Sequence, residues 1–463
     1  MSAEASRAHD VVVVGGGNAG LCAALSARAA GARVLVLERS SREWRGGNSK
    51  YTRNIRCAHT DDVEPAGRYL PEELLADLAK VTGEGFEQDL AELAVYESES
   101  LPAWMERFGV LWQPAIRGTL QLDRTNKFFL GGGKALINTY YRAAEAQDIS
   151  ILHDAEVTDL EFEDGVVTGV RTATGTLHTA RSVVVASGGF EANFEWLKQY
   201  WGDAADNFVI RGTSLNDGRL LSRIIELGAM ERGQPGGFHA IAVDARSPRH
   251  DGGIVTRVDS LPMGVTMNRD CLRFYDEGED IWPKRYAVWG RLVAEQPGQL
   301  AYSFYDSQTA GRFIPPCYPP YTARTIGELA TQLALDPARV EKTIGAYNRA
   351  ARTGGPWDNT RLDQLSTQGL SPNKTNWALP IDHPPYYAFA VRPGITFTYL
   401  GVAVDRHAHV LKRDGGPFPN LFGAGEVMAG NILRRGYLGG FGMTIGTVFG
   451  RIAGASAAEV ARA

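Results

Sequence analysis

Residues 11–38 read VVVVGGGNAGLCAALSARAAGARVLVLE, and this stretch decides the fold class. Four β-branched residues, Val11 to Val14, end abruptly at Gly15. Gly15, Gly17 and Gly20 stand in the G-x-G-x-x-G spacing, with Asn18 and Ala19 inside it, and open a helix of small residues. A second apolar run, Val34 to Leu37, closes on Glu38 and Arg39. A strand, a tight turn, a helix and a second strand tipped by an acid are the parts of a dinucleotide site. Gly15 permits the turn, Gly17 lets the backbone approach a pyrophosphate, and Gly20 lets helix and strand pack closely. The helix N-terminus offers N–H groups and a positive dipole end to phosphate. Glu38 can accept hydrogen bonds from an adenosine ribose. The rival reading is a glycine-rich turn in some other α/β protein. The fingerprint alone does not choose between FAD and NAD.

The chain has 463 residues, enough for two or three domains and a large core. Its 44% hydrophobic and 22% charged residues are ordinary for an enzyme in water. A net charge of −5 leaves no basic footprint, so no nucleic-acid partner is expected. Cys22, Cys57, Cys271 and Cys317 lie far apart with no C-x-x-C, which argues against a zinc site, an iron–sulfur cluster or a disulfide framework. No metal is expected, and the compartment that suits such cysteine usage is the cytoplasm. The polar opening MSAEASRAHD predicts no signal peptide, and no apolar run has transmembrane length, so direct membrane insertion is not expected.

Beyond Glu38, Gly46-Gly47-Asn48-Ser49 is the sharpest turn signal of a polar loop. Helical periodicity fills 71–107, and 131–147 reads as a loop into a helix. Short strands are expected at Ile149–Leu152, Val157–Phe162 and Val166–Val170, with a hairpin signal at Asp164-Gly165. Arg181 to Ala186 is a buried strand ending in Ser187-Gly188-Gly189. From about 233 to 380, Pro and aromatic residues rise and the β–α alternation weakens. A helical pair at 325–351 has Asp336 as cap and Pro337 at its first helical position. Phe418 to Phe422 then enters Gly423-Ala424-Gly425-Glu426, and a small-residue helix is expected at 441–460.

The tail, PNLFGAGEVMAGN followed by GYLGGFGMTIGTVFGRIAG, resembles a flavoprotein closing signature, and that resemblance selects FAD. It implies that Gly425-Glu426 lies along the ribityl–phosphate segment. It also implies that the last helix points its N-terminus, near Gly440, Met443 and Thr444, at the flavin. The rival reading of this tail is a packing helix. REWRGGNSKYTRN (42–54), SGGFEAN (187–193), RGTSLNDG (211–218), RFYDEGEDIWPKRYAVWGRL (273–292) and RPGITFTYLGVAVD (392–405) extend the likeness over nearly the whole chain. Together they resemble the fumarate reductase and succinate dehydrogenase flavoproteins, and within them most of all the FAD-dependent tricarballylate dehydrogenases. The resemblance implies an α/β fold: a Rossmann-like FAD-binding domain (1–232 and 381–463) with an inserted α+β capping domain (233–380) that covers the flavin. Cofactor contacts are then expected at Gly15, Gly17, Asn18, Ala19, Gly20, Glu38, Arg39, Gly46, Gly47, Asn48, Ser49, Val157, Ser187, Gly188, Gly425, Glu426, Gly440, Met443 and Thr444. Asn48 stands where succinate dehydrogenases carry the histidine that bonds to flavin, so FAD is expected to bind non-covalently. Asn48 and Ser49 offer side-chain hydrogen bonds near flavin N5 or O4, or serve only as turn residues.

Oxidation of a CH–CH bond needs a hydride acceptor, a base, and donors that hold a carboxylate or carbonyl as charge develops. Glu277 aligns with the glutamate of the family's proton path, and Arg285 with its arginine. Arg312 follows Asp306-Ser307 later than the family's arginine does. The substrate-binding histidine of fumarate reductases is missing from Thr396–Tyr399, and Tyr437 follows Arg434-Arg435-Gly436 in the final turn. The expected catalytic set is therefore Arg285, Tyr399, Tyr437, Glu277 and Arg435, with Arg53, Arg56, Arg291 and Arg434 as further cations. His59, His239 and His383 show no spacing that singles them out. The expected reaction is tricarballylate to cis-aconitate, with a small-molecule carboxylate as substrate and a separate membrane-bound protein as electron acceptor. Alternatives are a desaturase of a ketone or other acid with a tyrosine acid, a flavin half of the precorrin-3B synthase type, and a non-catalytic flavin shuttle.

Overall fold

The protein is described by a computed structural model covering residues 9–63, 67–114, 124–281, 286–351 and 355–463. Strand β1 (His9–Val14) is central to the larger sheet, and Val11, Val12 and Val13 are wholly buried. Such an unbroken valine run suits a strand covered on both faces. It pairs in parallel with β2 (Val34–Leu37) on one side and with Leu177–Val185 on the other. Ser150–Leu152 extends the sheet beyond β2, and Pro417–Gly423 extends it beyond 177–185, both in parallel. Helix α1 (Asn18–Ala29) makes the crossover from β1 to β2. This is the doubly wound pattern that the opening residues predict.

The strand expected at 181–186 begins earlier, at Leu177. Its first residues pair antiparallel with Val166–Thr172, continuing the hairpin from Val157–Glu163. The hairpin turns at Asp164-Gly165, both with positive φ (50° and 79°), as a two-residue primed turn requires.

The closing helix, Phe441–Arg462, lies against α1. A Cβ at Gly450 would stand 2.4 Å from the Ala19 carbonyl oxygen, and one at Gly454 would stand 2.1 Å from that of Ala23. The small residues of the tail are thus the condition for two helix backbones to touch. Asn18 joins the same pair, donating from Nδ2 to the Thr447 hydroxyl (3.0 Å).

The second sheet is built on one long strand, Tyr386–Thr398. Val209–Ile210 pairs with it in parallel, and Phe238–Asp244, Ala301–Asp306 and Tyr321–Ala323 pair antiparallel. Val265–Asn268 follows outside 301–306. Helices Ile326–Gln332 and Pro337–Ala350 share a core with this sheet through Leu329, Ile344, Val265, Phe304 and Ala388. Asp336 caps the second helix, accepting from the N–H groups of Ala338 and Arg339, as read from the sequence. The sheet takes strands from both sides of the 233–380 stretch. Among the described residues, no helix is long and apolar enough to cross a membrane.

Candidate active site

A long cavity runs from the tip of β2, past the N-terminus of α1, to the end of the second sheet. Gly15 has φ +105°, and a Cβ there would lie 2.4 Å from the Ala186 carbonyl. Gly20 would place a Cβ 1.8 Å from the Gly15 carbonyl, so its role is packing, and it does not line the cavity. At Gly17 a Cβ would meet nothing nearer than the Ser49 hydroxyl at 3.5 Å. Glycine there leaves space at the mouth of α1 to a ligand. That helix has no side-chain cap and no acid in its first turn, so its N-terminus suits phosphate. Asn18 N–H donates to Ser49 Oγ (3.0 Å), which fixes the 47–51 turn against the helix mouth. Glu38 is buried at the β2 tip and accepts from Gly16 N–H (2.9 Å), Ser40 N–H (2.8 Å) and Ser40 Oγ (2.9 Å). Arg39 lines the same end, held by Glu156 and Asp217. These residues fit a dinucleotide whose diphosphate faces the helix mouth.

Of the expected cofactor contacts, Gly15, Gly17, Asn18, Ala19, Glu38, Arg39, Gly47, Asn48, Ser49, Val157, Ser187, Gly188, Gly425, Glu426, Gly440 and Met443 line this cavity. Gly46 and Thr444 do not. Gly46 has φ +102° and packs on Ile137, making the turn that precedes Gly47. Thr444 is wholly buried and gives its hydroxyl to the Arg56 carbonyl. Asn48 also departs from expectation. Its Nδ2 donates to Glu191 and to the Thr396 carbonyl (2.8 Å), and its Oδ1 accepts from Thr213 N–H (2.8 Å). Both amide hydrogens are used inside the protein, so the Asn48 side chain braces the cavity wall rather than donating across it.

The other end of the cavity is rich in cations. Arg53, Arg211 and Arg257 line it with His239, Tyr286, Thr396, Phe397 and Tyr437. Strand register brings several of them together. Arg211 follows Val209–Ile210, and its N–H donates to the Ile395 carbonyl (2.8 Å). His239 stands opposite Phe397 across the antiparallel pair. Tyr437 stacks on His239 with ring centroids 3.8 Å apart, and its hydroxyl accepts from Gly442 N–H (3.0 Å). Arg257 is paired with Asp259 (2.7 Å) and lies over the Tyr286 ring. Arg211 donates to Thr396 Oγ1 (2.8 Å), while its Nε and Nη1 are buried with no partner among the described residues. Burial, then the fields of neighbouring arginines, bring Arg53 and Arg211 down to about 10. Burial, then Arg211 and Arg257, push the His239 pKa well below its usual value, so its ring is neutral. Burial raises the Tyr437 pKa, which keeps its proton on.

The expected catalytic set is only partly assembled here. Tyr437 lines the cavity, but Tyr399 does not. It is wholly buried and donates its hydroxyl to the Gly436 carbonyl (2.8 Å), so it packs and shapes the turn that carries Tyr437. Arg435 is exposed, with its side chain beside Gly83, because the turn directs it outward. Glu277 is buried behind the wall, accepting from Arg273 and from Thr266 N–H (2.9 Å). Arg285 lies outside the described residues. Of the further cations, Arg53 alone lines the cavity; Arg56 is buried against Gly439 and Tyr69, Arg291 pairs with Glu295, and Arg434 and Arg312 lie toward the surface. His59 is half-buried with its ring bonded to the Arg124 carbonyl (2.7 Å), and His383 is exposed and bonded to Asp382.

Arg211, Arg257 and His239 were not singled out by sequence. The signal for His239 was present in Phe238–Asp244, a strand-like run after Gly236-Gly237. His239 stands across from 396–399, opposite Phe397 on the neighbouring strand.

Comparison with known proteins bears on the fold and the cofactor. Residues 10–442 match the family model described as FAD binding domain. A probable fumarate reductase, Ifc3, of Shewanella frigidimarina is 28% identical, over 99% of this chain and 76% of that protein. The NADH:fumarate oxidoreductase of Klebsiella pneumoniae is 27% identical over 99% of this chain, which spans 48% of that protein's length. The open conformation of a flavocytochrome c3 fumarate reductase superposes with a TM-score of 0.74 at 26% identity, covering 98% of this chain and 79% of that one.

Proposed function

The chain belongs to the FAD binding domain family and is an FAD-dependent oxidoreductase of CH–CH groups, and from that premise we propose that it oxidises tricarballylate to cis-aconitate. The observation that carries this reading is the convergence of Arg53, Arg211 and Arg257 at one end of the cavity. Arg53 and Arg211 offer two guanidinium charges to a polyanionic substrate, and Arg257, its charge shared with Asp259, offers further donors. Bound FAD supplies the two-electron hydride acceptor. Arg211, with two free nitrogens, holds the carboxylate next to the carbon that loses a proton, and stabilises the charge that develops there. His239, neutral and with its Nδ1 unpartnered among the described residues, accepts that proton, and Tyr437, protonated, orients a second carboxylate by a hydrogen bond. Asn48 cannot form the covalent link a histidine makes, which supports non-covalent FAD. The residues of 233–380 act as the cap that excludes water. Arg273 and Glu277, paired behind the cavity wall, are the described part of the stretch to which the family likeness assigns a proton path. With FAD bound, the electrons taken from substrate would go on to a separate membrane-bound protein, and the enzyme itself works in the cytoplasm.

A ketone desaturase is the second reading, favoured by Tyr437 as an acid that polarises a carbonyl. The arginines weigh against it, because a neutral ketone leaves Arg53 and Arg211 without a counter-charge. Turnover with an artificial electron acceptor separates the two. Tricarballylate is expected to give cis-aconitate, identified by mass and ultraviolet absorbance. Product from cyclic ketones and none from tricarballylate contradicts the proposal.

A further inference from the structure

Two acids meet beneath the cofactor end of the cavity, and their hydrogen bonds do not close without an added proton. Glu191, in the SGGFEAN stretch, is wholly buried. Its Oε1 accepts from the amides of Asn48 and Asn216, the latter at 2.8 Å. Its Oε2 is buried with no donor among the described residues. Glu426 lines the cavity, and its Oε1 accepts from Thr398 N–H (2.8 Å) and Thr398 Oγ1 (3.2 Å). The two acids are neighbours: a Cβ at Gly189, two residues before Glu191, would stand 2.2 Å from Glu426 Oε1, and the Thr398 hydroxyl accepts from Phe190 N–H while donating to Glu426. Two carboxylates so placed repel each other in a low-dielectric setting, and one orphaned acceptor remains.

We propose that Glu426 is a neutral acid that donates its proton to Glu191, so that the pair's negative charge rests on the buried residue and not on the wall that receives FAD. The amides of Asn48 and Asn216 point their positive ends at Glu191, which is where the charge is best held. Thr398 offers Glu426 donors at one oxygen only, leaving the other to carry the proton. Burial raises both acids, Glu426 furthest, in keeping with this division. Tyr399 and Tyr437, the other titratable groups that sense Glu426, are kept protonated by burial and add no charge. A carboxylate on this wall would oppose a cofactor that carries a diphosphate. Glu191 is therefore a positioning residue: it fixes Asn48 and sets the charge of Glu426. The inference concerns the cofactor cradle and does not depend on which substrate is oxidised.

Release of FAD from the holoenzyme, followed by recovery of free-flavin fluorescence, tests it. Glu426→Gln mimics the neutral acid and still donates to Glu191, so its FAD affinity should fall about tenfold less than that of Glu191→Gln. Glu191→Gln donates its amide to Glu426 and leaves that group ionised on the wall. Its FAD affinity should fall about tenfold or more. The reverse order, or two unchanged affinities, overturns the proposal. Infrared difference spectra of the holoenzymes give a readout that folding damage does not imitate. A protonated-carboxyl C=O band that disappears in Glu426→Gln is expected, and the absence of such a band also overturns it.

Discussion

Arg211 shows most plainly how this cavity is prepared for an anion. A buried guanidinium with two unsatisfied nitrogens costs several kcal/mol, roughly, in the empty protein, and a carboxylate removes that cost. Arg211→Leu should lower kcat/KM for tricarballylate by about a hundredfold or more while thermal stability holds or rises. Steady-state kinetics paired with a melting curve checks this, and an unchanged kcat/KM counts against the assignment. His239 makes a prediction of opposite character. Its folded-state pKa is depressed, so below about pH 6.5 the unfolded chain binds a proton that the folded chain refuses. Stability is therefore lost as pH falls through that value, at up to ~1.4 kcal/mol per pH unit. His239→Gln should lose less stability than the unchanged protein between pH 7.5 and 5.5 in urea denaturation. Equal losses in the two proteins contradict the assignment.

Among elements, the pair formed by α1 and the Phe441–Arg462 helix ties the two ends of the chain to one cavity. The first helix brings its N-terminus to the cradle, and the second brings Gly440, Gly442, Met443 and Gly446. Their separation is set by Gly450 and Gly454. Gly454→Val forces side-chain atoms into the Ala23 carbonyl, and should cost about 1–3 kcal/mol and lower FAD occupancy, read by denaturation and by flavin absorbance. Full occupancy and unchanged stability speak against this packing account. That the tail is made of small residues was legible in the sequence, and its first turn does line the cavity. That α1 is its partner was not, because small residues announce a close approach without naming what approaches. The same limit applies to the Tyr386–Thr398 strand. The aromatic run at 397–399 is plain in the sequence, but which rings face the cavity depends on register and on the turn at 436–437. Phe397 reaches the cavity, whereas Tyr399 is spent on the Gly436 carbonyl.

At the scale of the whole molecule, the cavity joins a parallel sheet that presents a nucleotide cradle to a second sheet that presents cations. The cradle was readable because Gly15, Gly17 and Glu38 sit within one βαβ unit, where spacing alone determines geometry. The cationic end was not, because Arg53, Arg211, His239 and Arg257 come from four separate segments. Only Arg53 was named as a candidate from sequence. Arg435 fails for a related reason: its neighbour Tyr437 faces inward, and the turn sends Arg435 to the surface. The account as a whole predicts a redox site that recognises several carboxylates at once. Anaerobic mixing of the purified flavoprotein with tricarballylate tests it most directly. Flavin absorbance should bleach in a single turnover with one equivalent of cis-aconitate formed, and bleaching by ketones but by no polycarboxylate would contradict it.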